Sequence, residues 1–193
     1  MKKPTPDRRI QRTRQLLLNT IVELILEKGY ETITVQEIID RANIGRSTFY
    51  FHFKDKEELL LSGFENLRES YEGFYRHLAP GQTGWDFSLI LFQHAEQNRP
   101  LIKALLGKQA GNALLRHMEK NLVALLTNHF RKIWDKKKQT MPLDVFVVFF
   151  VSTFMGMLIW WLDHDLPYSA ERMNAMFMQL TKPGVEAVLN IQV

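Results

Sequence analysis

The chain has 193 residues, 46% hydrophobic and 24% charged, which is typical of a folded protein with one large domain or two small ones. The absence of cysteine excludes disulfide scaffolds, thiolate zinc sites and cysteine nucleophiles. The formal net charge of +4 lies in residues 1–56, which contain 11 Lys/Arg and 7 Asp/Glu, whereas residues 57–193 contain 14 of each. This asymmetry indicates an N-terminal part that meets a polyanion, although four charges could also gather by chance.

Helical periodicity dominates the chain, and no useful period-two alternation predicts a strand. Residues 1–9 are expected to form a short basic arm, and no signal peptide is predicted because no apolar stretch follows them. Helices are predicted at about 8–28, 34–42, 46–52, 55–78, 85–98, 100–108, 111–137, 143–164 and 170–182. Pro183 and Gly184 are expected to kink or end the last helix.

Two short helices near the N-terminus have the pattern of a helix-turn-helix. Thr34 and Glu37 form a capping box at the start of the first helix. Asn43 and Gly45 predict a tight turn before the second, because both tolerate unusual backbone conformations. A plain helical hairpin is the alternative, with the aromatic residues of the second helix in a core: Phe49, Phe51 and Phe53.

The second short helix carries side chains that suit DNA. Arg46 can bond a guanine or a phosphate, and Ser47 and Thr48 stand at the same N-terminal end of this helix. Tyr50 and His52 offer donors for phosphates. Lys56 lies in the first turn of the next helix, where its charge and the unpaired amides suit another phosphate.

The segment GYETITVQEIIDRANIGRSTFYFHFKDKEEL, residues 29–59, resembles the DNA-binding signature of the TetR family. The resemblance implies phosphate contacts and major-groove contacts. The implied phosphate residues are Thr34, Tyr50, His52 and Lys56, and the implied groove residues are Arg46, Ser47 and Phe51. Three positions depart from the family pattern. Asn43 replaces the usual turn glycine, and Ser47 stands where the family often has glycine. Gly45 replaces the usual capping serine, so one phosphate-bonding hydroxyl is lost.

The remainder is similar to the C-terminal domain of a TetR subtype common in Gram-positive bacteria, through segments around residues 92–107 and 160–169. The resemblance implies an all-α protein: a three-helix head at 1–56 and a ligand-binding and dimerising bundle at 57–193. The helices at about 143–164 and 169–182 are expected to form a homodimer interface. Its predicted residues are Phe149, Gly156, Trp160, Met173 and Phe177.

The run 145–162 is apolar enough to be a transmembrane candidate, since ~20 apolar residues span a bilayer. A helix buried on all sides gives the same pattern. The flanking amphipathic helices need a partner surface, which favours burial, so no membrane partner is predicted. A membrane-associated helical protein is the alternative.

A small, largely apolar effector is expected among the helices of about 85–164, since this part of the chain has no net charge to select an ion. The predicted lining residues are Trp85, Phe92, His94, Trp134 and Phe150. Ordinary core packing is the alternative for most of them. No metal or other cofactor is predicted, because the histidine spacing matches no compact ligand motif, and no catalytic motif indicates an enzyme.

These patterns together predict a cytoplasmic transcriptional repressor that binds double-stranded operator DNA as a homodimer and is released by a small molecule. A family coactivator or partner-bound regulator without repression of its own is the alternative.

Overall fold

The computed structural model describes residues 8–63, 87–105, 109–131, 134 and 141–189, and all regular secondary structure in these ranges is helical, as predicted. The predicted break at 79–84 and the later part of the helix predicted at 55–78 lie outside the described residues. The elements are α1 (Arg8–Lys28), a 3-10 turn (Tyr30–Thr32), α2 (Val35–Ala42), α3 (Arg46–His52), the described part of α4 (56–63), α5 (Phe87–Gln97), α6 (Arg99–Leu105), α7 (Gln109–Phe130), α8 (Leu143–Asp163) and α9 (Ala170–Leu189).

Two of the predicted helix ends are wrong. α9 continues through Pro183 to Leu189. A proline removes one helical hydrogen bond, and the burial of Val185 in the core offsets that loss. α7 ends at Phe130 instead of about 137. The chain then leaves the helix, and the ring of Trp134 packs 5.2 Å from that of Phe146.

The first three helices form a compact head. The apolar face predicted for α1 packs on α2 and α3 through buried Leu17, Ile21 and Leu24. From α3, Phe49 and Phe53 enter the same core, with ring centroids 6.3 Å apart. These two residues are one helical turn apart and therefore share a face of the helix.

The core of the head also contains side chains from beyond it. Leu105 at the end of α6 and Leu114 in α7 are buried in the same cluster as the residues of α1 to α4. α6 lies directly against α1. The head is thus joined to the rest of the chain by shared apolar burial. The predicted domain boundary at 56/57 stays a prediction.

α5, α7, α8 and α9 enclose a second core that is rich in aromatic rings. Phe92 of α5 lies at its centre, 5.0 Å from Phe154, 5.5 Å from Trp161 and 6.5 Å from Phe177 between ring centroids. The indole Nε1 of Trp161 donates a hydrogen bond to the carbonyl oxygen of Tyr168, 2.9 Å away. Since a buried indole N–H needs an acceptor, this bond fixes the turn that follows α8.

The turn between α8 and α9 is tied to α6 by ion pairs. Asp165 and Leu166 both have positive φ, 62° and 57°. The carboxylate of Asp165 contacts the guanidinium of Arg99 at 2.7 Å and the ammonium of Lys103 at 2.9 Å. These cations hold the pKa of Asp165 at about 2. Ser169 then caps α9, accepting a bond from the amide of Arg172 at 3.3 Å.

Replacing Phe49 and Phe51 by alanine, one at a time, is expected to change the stability of the protein by very different amounts. Phe49→Ala opens a cavity in the head and should cost about 3–5 kcal/mol of unfolding free energy. Phe51→Ala removes a ring that is 73% exposed and should change that energy by less than about 0.5 kcal/mol. Urea unfolding followed by circular dichroism measures both. Equal losses would contradict the packing described for α3.

Candidate functional site

The capping box at the start of α2 and the turn between α2 and α3 both have the predicted conformation. The hydroxyl of Thr34 accepts a bond from the amide of Glu37 at 3.2 Å, and the Glu37 carboxylate accepts from the amide of Thr34 at 2.8 Å. Asn43 has φ 50° and ψ 51°, the left-handed region that asparagine tolerates better than most residues. Gly45 is the N-cap of α3 and provides no capping side chain. α3 therefore follows α2 at a fixed angle within the head.

The two faces of α3 differ sharply. Phe49 and Phe53 are buried, whereas Arg46, Ser47 and Phe51 are exposed. The alternative in which all three phenylalanines are core residues is therefore excluded for Phe51. The exposed ring of Phe51 is therefore available to contact a partner.

The other predicted DNA residues lie on or beside this exposed face. Tyr50 is half-exposed, with the guanidinium carbon of Arg46 5.7 Å from its ring centroid. Thr48 and His52 are partly buried. Burial and the nearby Arg14 lower the pKa of His52, so its ring is neutral at pH 7 and can donate one N–H. Thr34 lies at the exposed start of α2.

A groove runs between α3 and the first turns of α1. Arg9, Ile10 and Thr13 form its α1 side, and its α3 side consists of Ser47, Thr48, Phe51 and His52. Arg9 and Thr13 belong to none of the motifs recognised in the sequence. The available signal is electrostatic: α1 has no acidic residue in its first turn and begins with arginines. Cations destabilise a helix N-terminus, so their position there suits a bound polyanion.

The opposite side of the head has its charges paired. The ammonium of Lys28 binds the carboxylate of Glu37, and together with the Thr34 bonds it holds the Glu37 pKa at about 2. Arg41 makes two bonds to the carboxylate of Glu27, at 2.8 and 2.9 Å. These pairs join α1 to α2 and neutralise the cations on that side.

Lys56 has a second use besides the predicted phosphate contact. Its ammonium donates to the carbonyl oxygens of Tyr30 at 2.9 Å and Ile33 at 2.7 Å, and lies 4.3 Å from the Tyr30 ring centroid. Two of its three N–H groups thus hold α4 to the 3-10 turn. The third can reach a phosphate, and that contact stays a prediction.

A cavity of about 170 Å³ lies where the head meets the C-terminal bundle. α1 contributes Leu18 and Val22 to its lining, α4 contributes Leu60 and Gly63, and the other described lining residues come from α5 to α8 and the α5–α6 junction. Among the described lining residues, His94 and Asn98 are polar, and the others are aliphatic side chains, methionine and glycine.

Of the predicted ligand residues, only His94 is found in the lining of this cavity. Phe92 and Phe150 lie in the neighbouring aromatic core, where Phe150 packs 5.0 Å from Phe177 between centroids. Trp134 packs against that core from its edge. Trp85 lies outside the described residues. Ligand contact stays a prediction for all of these residues.

The predicted dimer residues divide into two groups. Phe149, Gly156 and Trp160 lie on the exposed face of α8, and a methyl added at Gly156 would meet nothing within 4 Å. Met173 and Phe177 of α9 are buried in the protomer's own core, so they support the helix instead of presenting a surface. Val145 and Val148 extend the exposed apolar face of α8.

α8 is long and apolar enough to cross a membrane, with a mean hydropathy of 2.2, and half of that stretch is buried in the protein. Core helices of soluble proteins meet the same criteria, so this is weak evidence for a span. Across the described ranges, no three His, Asp or Glu side chains gather in a way that could hold a metal ion.

Two family models match the chain. Residues 17–62 match "Bacterial regulatory proteins, tetR family", and residues 85–183 match "Transcriptional regulator C-terminal region". The first contains α2 and α3, and the second contains α5 to α8 and most of α9.

Characterised and uncharacterised regulators are among the relatives by sequence. The HTH-type regulator YxbF of Bacillus subtilis is 26% identical over 181 residues, which are 90% of this chain and 45% of that protein. TcmR of Streptomyces glaucescens is 36% identical over 64 residues, 33% of this chain and 28% of that protein. The chain thus spans less than half the length of these relatives.

Solved structures of similar fold cover almost the whole chain. A TetR regulator from Streptococcus agalactiae is 28% identical with TM-score 0.62, covering 90% of this chain and 96% of that one. A TetR-family regulator from Syntrophomonas wolfei has TM-score 0.69 at 19% identity, covering 95% and 98%. FadR from Bacillus subtilis, in complex with stearoyl-CoA, has TM-score 0.61 at 19% identity, covering 86% and 96%.

Lys56→Met is expected to destabilise the protein in the absence of DNA, because it keeps the aliphatic stem but removes the ammonium from two carbonyl oxygens. Hydrogen bonds to charged groups contribute about 1.5–3 kcal/mol, and urea unfolding should detect a loss of that size. Lys54→Met is the matched control, since Lys54 is exposed. Unchanged unfolding together with weaker, less salt-dependent DNA binding would make Lys56 a phosphate contact alone.

Proposed function

The chain belongs to the TetR family of bacterial regulatory proteins, and on that premise we propose that it is a repressor: a homodimer that binds operator DNA and is released by a small molecule. TetR-family members are DNA-binding transcriptional regulators, and they act as dimers. The observation that carries the proposal is the division of α3, whose buried phenylalanines anchor it while Arg46, Ser47 and Phe51 stand exposed beside the arginines of α1.

Each exposed group on α3 has a matching feature in the major groove. The guanidinium of Arg46 suits guanine O6 and N7, and the hydroxyl of Ser47 suits either a donor or an acceptor. The ring of Phe51 suits a thymine methyl group. The arginines at the start of α1 supply the sequence-independent attraction to phosphates. The paired cations on the opposite side of the head are not needed for that attraction.

A second copy of the chain suits the exposed apolar face of α8. Val148, Phe149 and Trp160 are each about half-exposed in one protomer. Isologous pairing of this face would bury them and set two heads at a fixed separation, ~34–36 Å for adjacent turns of the groove. Because TetR-family regulators are soluble DNA-binding proteins, we place the protein in the cytoplasm and assign this face to the partner, not to lipid.

The cavity supports release by a small molecule. It is lined by α1 and α4 of the head as well as by α5 to α8, so a molecule inside it contacts both parts of the chain. FadR of Bacillus subtilis, which has this fold, was solved with stearoyl-CoA, so the fold accommodates small molecules. An effector must prefer the conformation that does not bind DNA, because equal affinity for both shifts nothing.

Purified full-length protein is expected to select a two-fold symmetric site from a random duplex library without any partner. Arg46→Ala should relax the preference at one base pair of each half-site and weaken binding by about 1–3 kcal/mol. Arg41→Ala is the matched control, because Arg41 is bound to Glu27 and should leave the selected sequence unchanged. Failure of the wild-type protein to enrich any sequence would favour a partner-dependent coactivator.

Gly156→Glu is expected to give folded monomers, since the new side chain meets open space in the protomer but places a charge in the apolar dimer contact. Sedimentation velocity at micromolar concentration should show monomers that no longer bind the symmetric site. Gly156→Ala, without the charge, should remain dimeric. A Gly156→Glu protein that sediments as the wild-type dimer would place the interface elsewhere.

A further inference from the structure

We propose that the cavity at the junction of head and bundle binds an uncharged, mostly apolar molecule of about one ring, with a single hydroxyl directed at His94 and Asn98. The proposal rests on the effector response proposed above and names the chemistry of that effector. It concerns the cavity of about 170 Å³ between the two cores.

The size of the cavity limits the occupant. An apolar cavity of roughly 150 Å³ in another protein stays dry and takes benzene. A cavity of about 170 Å³ therefore has room for one ring with a small substituent.

The walls select an apolar guest. Leu18 and Val22 of α1 line the cavity together with Leu91 and Ala95 of α5, and α8 contributes Leu158. None of the described lining residues is Lys, Arg, Asp or Glu. A carboxylate or ammonium inside would lose its hydration without gaining a counter-charge, so ions are disfavoured.

One end of the cavity can form hydrogen bonds. The amide nitrogen of Asn98 donates to the backbone carbonyl of His94 at 2.8 Å. The same nitrogen lies 3.3 and 3.4 Å from the two ring nitrogens of His94. Since the in-plane directions of these ring nitrogens diverge, one atom equidistant from both cannot align well with either. The imidazole of His94 therefore retains hydrogen-bonding capacity for a guest.

The protonation state of His94 determines which polar group of a bound molecule fits this end of the cavity. Burial lowers the pKa of His94, so the ring is neutral at pH 7 with one N–H donor and one acceptor nitrogen. The carbonyl of the Asn98 side chain adds a second acceptor nearby. A hydroxyl both donates and accepts, and so it matches this end better than a ketone, which only accepts, or a methyl group, which does neither.

The test compares para-cresol, toluene and benzoate, which share one ring and differ in the polar group. Isothermal titration calorimetry on the full-length dimer should give para-cresol about five- to tenfold tighter binding than toluene, the effect of one neutral hydrogen bond. Benzoate should show no binding at the same concentrations. His94→Phe and Asn98→Leu should each reduce the preference for para-cresol while toluene still binds.

Two cavity-filling variants locate the binding. Leu115→Phe and Met118→Trp add bulk from α7 into the cavity and should abolish binding of both neutral probes. Leu125→Phe is the matched control, on the same helix but outside the lining, and should bind normally. Thermal unfolding and operator binding, measured on each sample, identify any variant that fails to fold, and the other variant then carries the test.

Three results would overturn the proposal: no binding of either neutral probe, binding that survives both filling variants, or benzoate binding as tight as that of para-cresol. Any of these with intact operator binding leaves the regulator function standing. Loss of operator binding by the wild-type protein would instead contradict the proposed function, whatever the probes do.

Discussion

The burial of Leu105 and Leu114 in the core of the head is the interaction on which the arrangement of this protein depends. These leucines belong to α6 and α7, so the head cannot move without disturbing the helices that support the C-terminal bundle. Cores are closely packed, and they respond to a guest by shifting between discrete arrangements. A molecule bound in the cavity beside this junction is well placed to change the position of the head.

The charges on the head differ between its two sides. On one side of the head, Lys28 and Arg41 are neutralised by carboxylates of neighbouring helices. On the other side, arginines crowd the N-terminus of α1, where the helix dipole disfavours them. The positive charge at the start of α1 therefore lies beside the groove of α3, and this location favours a polyanionic partner.

Local sequence signals predicted the head well because its structure depends on local chemistry: a capping box at Thr34, a left-handed turn residue at Asn43, and helical spacing. Once α3 is known to be helical, the sequence spacing also places Phe51 on a different face of the helix from Phe49 and Phe53. The cavity was less predictable. Phe92 and Phe150 are predicted to contact a ligand, yet they pack among other rings. The aliphatic cavity beside them results from how whole helices pack together, and a local sequence pattern does not record that packing.

Because the head and the cavity share one structural junction, their ligands must be coupled. The direct measurement is the affinity of para-cresol for the protein alone and for the protein saturated with its selected operator. Linkage requires that operator weaken para-cresol binding by the same factor by which para-cresol weakens operator binding. A factor clearly above one is expected, and equal para-cresol affinities in the two states would mean that the two sites are not coupled.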